Sequence, residues 1–393
     1  MQHLNQSPTD PAFVQDPYPF YTRARAAGDL IWWEDYAMPA ATSHAAVHAL
    51  LRDKRFGREK PAELRAPLAD HLAPFWQVEQ HSMLDAEPPR HTRLRAQVLR
   101  AFTSRRIAAF APEIETLCDQ LIDAFPSTPF DLLPAYCTRI PVVIIARLLG
   151  VPEDDADQLL AWSHAMVAMY QANRSRQTED SAAQAAAEFA AYLRRHIAAR
   201  QRAPGDDLLS TLTQAAADGA LLSEDELIGT AILLLNAGHE ATVHSLANAV
   251  PCLLAHDDLH TALAPEHIAA TAEELMRLDP PLHLFTRFAY EDVTLFGHSF
   301  KRGDEVALLL ASANRDPSAW SAPDRFDPNR LQKTHHSFGG GLHFCVGAPL
   351  ARLEMQIALP RLFARCPDLR LTAKVTYGDT YHFHGLTRLM VTR

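Results

Sequence analysis

One stretch carries a cysteine among glycines: Phe338-Gly339-Gly340-Gly341-Leu342-His343-Phe344-Cys345-Val346-Gly347. Pro349 and a run of good helix formers through Leu359 follow it. Proline is tolerated in a first helical turn, so Cys345 is placed just before a helix N-terminus. The unpaired N–H groups there carry partial positive charge and favour a thiolate over a thiol. A single thiolate so placed suits an axial ligand of heme iron. The glycines remove side chains where a flat ligand might lie against the backbone. The competing reading is an inert buried cysteine, the commonest fate of a free one.

Other groupings have spacings that do chemistry. His91 and Arg95 are four apart, share a helix face and suit a carboxylate, although a solvated basic face is the commoner outcome. His239-Glu240-Ala241-Thr242-Val243-His244 looks like a zinc-protease helix, but its histidines are five apart rather than four, so that reading is rejected. Glu274 and Arg277 are three apart and can pair, which alone is a weak signal.

The elements that must position these groups are partly legible. Ser223 and Glu226 form a capping box that opens a helix through Gly238 and His239 to about Leu254. About thirty residues would span roughly 45 Å, with Pro251 loosening the last turns. Gly238 costs that helix up to about 1 kcal/mol, and close approach of a planar ligand would explain it. Residues 57–89 are proline-rich and read as a long functional loop, whose Phe75, Trp76 and Val78 either pack internally or line a pocket. Met166, Met169 and Tyr170 are weighed the same way, with simple core favoured. A polar break from Asn173 to Asp180 precedes an alanine-rich helix from Ser181 to Arg200. Leu30–Trp33 and Tyr36–Met38 suggest a hairpin, residues 1–15 are expected to be loosely ordered, and the chain closes in a β region with a turn at Tyr381–His384.

Composition narrows the class. The 393 residues carry a net charge of −10, which argues against a nucleic-acid binder. Five scattered cysteines form no metal-finger spacing and fit a reduced, cytoplasmic setting. No apolar run reaches the roughly 20 residues of a membrane span, so no membrane association is expected.

The pattern Phe338-x-x-Gly341-x-His343-x-Cys345-x-Gly347 resembles the heme-ligand loop of the cytochrome P-450 family. Ala237, Gly238 and Glu240 are similar to its oxygen-activation segment, but Ala241 stands where the family usually has a threonine, and Thr242 follows. A shift of one residue turns a side chain by about 100° around a helix, so Thr242 does not simply replace the missing hydroxyl. Glu274 and Arg277 resemble the structural Glu-x-x-Arg helix, with Arg325 as the implied third partner. His91, Arg95, Arg287 and His343 match propionate-binding positions. The resemblance implies one mainly α domain over 1–393 with a smaller β-rich lobe, and heme b between the long helix and the Cys345 loop. Cys345 would be the iron ligand, with Phe338, Gly341 and Gly238 beside the cofactor. Glu240, Ala241 and Thr242 would govern proton delivery. Trp76, Val78, Met169, Leu234, Ala237, Leu284, Phe285 and Phe383 would line the substrate pocket, and His382 or His384 would contact substrate or sit exposed on a loop.

The activity implied is monooxygenation: dioxygen activated with electrons from a ferredoxin and ferredoxin reductase, NAD(P)H as source, and a hydrophobic small molecule hydroxylated or epoxidised. Arg93, Arg100, Arg105, Arg106 and Arg352 are the candidate docking cations. Ala241 leaves open a peroxide-driven, coupling or rearranging enzyme. A heme sensor or carrier without oxygenase activity is the rival from another class.

Overall fold

The computed structural model describes residues 1–171, 174–217, 222–330 and 334–393. Contacts group the chain into two compact units: Met1–Arg65, Glu115–Cys137 and Ala241–Arg393 in the first, Ala66–Ile114 and Thr138–Glu240 in the second. The chain is mainly helical, and its strand-rich part belongs to the first unit.

There β1 (Gln2–Leu4), β2 (Leu30–Trp33), β3 (Met38–Ala41), β4 (Phe56–Gly57), β5 (Leu284–Ala289) and β6 (Glu305–Leu309) form one sheet in the order β1-β2-β3-β6-β5-β4. The expected hairpin is β2–β3, with Trp33 opposite Met38 and Tyr36 in the connecting turn. Residues 1–15 are not loose. β1 pairs in parallel with β2, and a short helix, Pro11–Gln15, is capped by the Asp10 carboxylate. The reason is that Phe13 and Val14, two apolar residues in a polar segment, are both buried.

Strand alternation decides which side chains of β5 share a face. Leu284 is buried in a cluster with Phe13, Tyr21, Trp33, Leu309 and Tyr381. Phe285 packs against the opposite cluster of Leu50, Phe56, Val306 and Leu308. The two therefore cannot both line one pocket, and Leu284 is core. Arg277 and Glu274 sit on the helix Ile268–Leu278, and Cys345 precedes the helix Ala348–Arg365.

In the second unit the alanine-rich helix runs Arg176–Arg202, five residues longer at its start than expected. Ser175 Oγ accepts from Thr178 N and caps it. Asn173, the expected start of the polar break, lies outside the described residues. This helix packs against the helices Ala156–Val167 and Ala73–Glu79. The latter is a correction: part of the stretch 57–89 is helical, and it buries Phe75 and Val78 three residues apart on one face.

The long helix spans Glu224–Leu254 and contributes Glu224–Glu240 to the second unit and Ala241–Leu254 to the first. Its capping box is formed: Ser223 N donates to Glu226 Oε2 at 2.9 Å, and Glu226 N donates to Ser223 Oγ at 3.1 Å. Pro251 does not end it, because it falls in the last turn, where few further backbone bonds depend on its missing N–H.

Candidate active site

The cysteine loop is built by short backbone bonds. Gly339 N donates to the His336 carbonyl at 2.8 Å, and Cys345 N donates to the Phe338 carbonyl at 3.0 Å. Gly341–His343 form a single 3₁₀ turn, after which Gly347 and Pro349 open the helix. Cys345 is the only exposed cysteine of five; burial pushes the Cys118 and Cys252 thiols up to about 12 and holds them neutral. Exposure and the helix N-terminus behind it set the Cys345 thiol apart from the other four. Leu342 and Phe344 beside it are large apolar side chains, and both are exposed.

Two of the loop glycines have a cause in the loop's own backbone and scaffold. Gly339 and Gly341 adopt φ of +68° and +64°, where side chains are strained. A Cβ at Gly339 would stand 3.1 Å from the Phe285 ring, and one at Gly341 would stand 2.3 Å from the Leu51 carbonyl. These two glycines let the loop lie flush on its own scaffold. Gly238 behaves alike. A Cβ there would meet Ile145 at 3.0 Å, so helix packing favours glycine at that position.

Cationic groups stand on both units. In the first, Arg287 on β5 is 2% exposed and donates to the Thr286 carbonyl, and His343 is half-buried in the cysteine loop. In the second, the helix Arg90–Ala101 holds His91 buried and Arg95 half-buried on one face. An iron porphyrin requires one proximal donor and cations for its propionates, and within the first unit the Cys345 thiol, Arg287 and His343 are groups of those kinds.

Beneath the loop a buried ion cluster holds the segments together. Arg277 Nε and Nη2 donate to the Glu274 carboxylate at 2.7 and 2.8 Å, and Asp327 N adds a third bond at 3.0 Å. The third side chain is Arg330, whose Nε lies 3.2 and 3.3 Å from the two carboxylate oxygens. Arg325 is not the partner: its side chain is exposed, and it contributes only its carbonyl, which accepts from Arg277 and Arg330. Arg330 was missed because nothing local distinguishes two arginines five residues apart on an irregular segment. A second pair braces the loop helix. Burial tends to raise Glu273, yet bonds from His335 and Arg352 carry it down to about 2. The Arg352 guanidinium also lies 4.6 Å from the Phe338 ring centroid.

Two proposed docking cations are consequently engaged internally, Arg352 with Glu273 and Arg93 with Glu226. Arg106 reaches Asp206 at 3.3 Å, while Arg100 and Arg105 are exposed.

On the long helix, Glu240 Oε2 lies 3.4 Å from His164 Nε2 and 3.5 Å from His239 Nε2. The bond that His164 donates to the Glu240 carboxylate raises the pKa of His164. Thr242 is buried, Ala241 is half-buried, and the Ala241 carbonyl accepts from Ser245 Oγ at 2.9 Å. Of the other pocket candidates, Val78, Met169 and Leu234 are buried, Ala237 is exposed, and Trp76 and Phe383 are intermediate. The Trp76 indole N–H is buried with no partner among the described residues. His384 is not an exposed loop residue. It is buried, stacks on Tyr377 at 3.7 Å, and donates its backbone N–H to the Pro281 carbonyl. His164 and His335 carried no spacing signal in the sequence.

The family model for cytochrome P450 matches residues 30–367. The chain is 38% identical to the cytochrome P450 monooxygenase PikC of Streptomyces venezuelae, over 91% of this chain and 86% of that one. It is 37% identical to a vitamin D(3) 25-hydroxylase of Pseudonocardia autotrophica, over 97% and 94%. Epothilone D-bound cytochrome P450epoK superposes with a TM-score of 0.92 at 30% identity, covering 99% of each chain. The exposed thiol before a helix N-terminus and these likenesses lead to one conclusion: the chain belongs to the cytochrome P450 family and is a heme b-binding monooxygenase.

Proposed function

We propose that this enzyme hydroxylates or epoxidises a hydrophobic small molecule of sterol or polyketide size, with electrons delivered singly by a ferredoxin and its reductase from NAD(P)H. The observation that carries the reading is the exposed Cys345 thiol, alone of its kind, at the start of the helix Ala348–Arg365. When bound, heme b supplies dioxygen activation through its thiolate-ligated iron. Cys345, just before the helix Ala348–Arg365, would supply the iron ligand. Arg287 and His343 in the first unit, and His91 and Arg95 in the second, are the groups that would bind the heme carboxylates. Glu240 is the proton-handling group, since Ala241 has no hydroxyl. Phe285, Trp76, Met169, Leu234 and Phe383 are the residues we assign to substrate. The substrate class rests on apolar candidates without a charged anchor and on relatives named for vitamin D(3), epothilone D and polyketide biosynthesis. Among the described residues no helix is long and apolar enough to cross a membrane.

The test is the absorption spectrum of the reduced holoenzyme under carbon monoxide. Wild type should show the strongly red-shifted Soret band of a thiolate ligand, and Cys345→His should lose it while retaining heme. An unshifted wild-type band overturns the assignment. Ala241 favours a second reading, peroxide-driven turnover. Product formed with peroxide, and none with ferredoxin, reductase and NAD(P)H, would select it.

A further inference from the structure

His164, on the helix Ala156–Val167, faces His239 and Glu240 on the long helix. All belong to the second unit. One carboxylate oxygen, Glu240 Oε2, is 3.4 Å from His164 Nε2 and 3.5 Å from His239 Nε2. The three ligand atoms lie within 4.8 Å of one another. The His164–Glu240 contact is a hydrogen bond, longer than the roughly 2.9 Å of a typical N–H···O bond. Both spacings match the edge of a tetrahedron around zinc: bonds of about 2.0–2.1 Å to nitrogen and oxygen place neighbouring ligands about 3.3–3.5 Å apart.

The protonation pattern agrees. His239 Nδ1 lies 2.7 Å from the Leu235 carbonyl, which can only accept, so Nδ1 carries the proton. The neutral ring then turns its Nε2 toward the carboxylate oxygen, as a metal ligand would. A backbone carbonyl holding the distal ring N–H is also the arrangement that orients metal-ligating histidines. His239 is 1% exposed, whereas the His164 side chain is 58% exposed and gives an ion a way in from solvent.

We propose that His164, His239 and Glu240 form a divalent transition-metal site of the two-histidine, one-carboxylate type, and that its occupation inhibits turnover by holding the Glu240 carboxylate. Two histidines and one carboxylate favour Zn²⁺ and its neighbours over Mg²⁺ or Ca²⁺, which take oxygen ligands. Three protein ligands leave one position for water, as in accessible rather than structural zinc sites. The site stands on its own geometry; the inhibition rests on the proposed role of Glu240 in proton handling.

The experiment is calorimetric titration of the holoenzyme with Zn²⁺, beside its His164→Ala and Glu240→Gln variants. His164 is exposed, so its truncation leaves the core intact. Wild type should bind one equivalent that Mg²⁺ does not displace, and each variant should weaken that equivalent at least tenfold. Absence of binding, or equal binding by wild type and both variants, overturns the site. Turnover in the presence of Zn²⁺ is the second arm. Inhibition reversed by chelator in wild type and absent in His164→Ala supports the regulatory role. One bound equivalent with undiminished turnover overturns that role while leaving the site. The carbon monoxide spectrum, recorded in parallel, reports on the thiolate assignment independently of both.

Discussion

The identity of the third partner in the buried ion cluster can be decided by comparing Arg330→Ala with Arg325→Ala. Arg330 is 11% exposed and bonds both oxygens of Glu274, itself 5% exposed. Its Nη1 donates to the Ser321 carbonyl, and its Nη2 donates to the carbonyls of Ala322 at 3.2 Å and Arg325 at 3.0 Å. Removing it leaves Glu274 with the bidentate Arg277 and the Asp327 N–H. The carboxylate is not stranded, so the cost falls below the ~3–5 kcal/mol of isolating a buried charge. One charge-assisted interaction and three carbonyl contacts are lost, which puts the cost at about 2–3 kcal/mol. Arg325→Ala keeps the accepting carbonyl and removes only an exposed side chain, costing at most about 0.5 kcal/mol. For 393 residues the unfolding entropy is roughly 0.8 kcal/mol per degree, so Arg330→Ala should lower the melting temperature by about 3 °C. The assay is urea and thermal unfolding of each holoenzyme, followed by far-UV circular dichroism and by the Soret band. Equal stabilities, or a greater loss in Arg325→Ala, would refute the assignment.

Gly238→Ala should destabilise by about 1 kcal/mol despite the better helix propensity of alanine, because its Cβ would meet the fully buried Ile145 at 3.0 Å. Ile145→Ala in the same chain should relieve that cost, and simple additivity in the double mutant cycle would rule out the packing explanation. Arg352→Ala should cost roughly 2 kcal/mol at neutral pH. The Glu273 carboxyl is held at about 2, below its ordinary 4.5, so this stabilisation is complete above 4.5 and fades as pH falls toward 2. The gap to wild type in urea unfolding should narrow across that window, and a gap independent of pH would show that charge is not its origin. Ala241→Thr should raise product formed per NAD(P)H consumed and lower the share of turnover that peroxide sustains. No change in either ratio would show that the missing hydroxyl does not limit proton delivery.

Much of the site was legible because its signals are local. A glycine run, one cysteine and a proline two residues into a helix define a thiolate position without reference to anything distant. The capping box at Ser223 and Glu226, the i,i+3 pairing of Glu274 with Arg277, and the hairpin at Trp33 and Met38 are likewise set by neighbours in sequence. What the sequence could not decide is what each group faces across the fold. Arg330 rather than Arg325 reaches Glu274 because an irregular segment turns one guanidinium inward and the other out to solvent. Leu284 and Phe285 part company because strand alternation sends them to opposite faces of the sheet. Gly238 and the loop glycines answer to Ile145, Phe285 and Leu51, residues far away in sequence. His164 meets Glu240 only through the packing of two helices. Sequence by itself determined the chemistry the groups can do, since ionisation, capping and helix dipoles act within a turn or two. The tertiary structure alone decided the partners, because contacts between distant segments depend on how every intervening element packs.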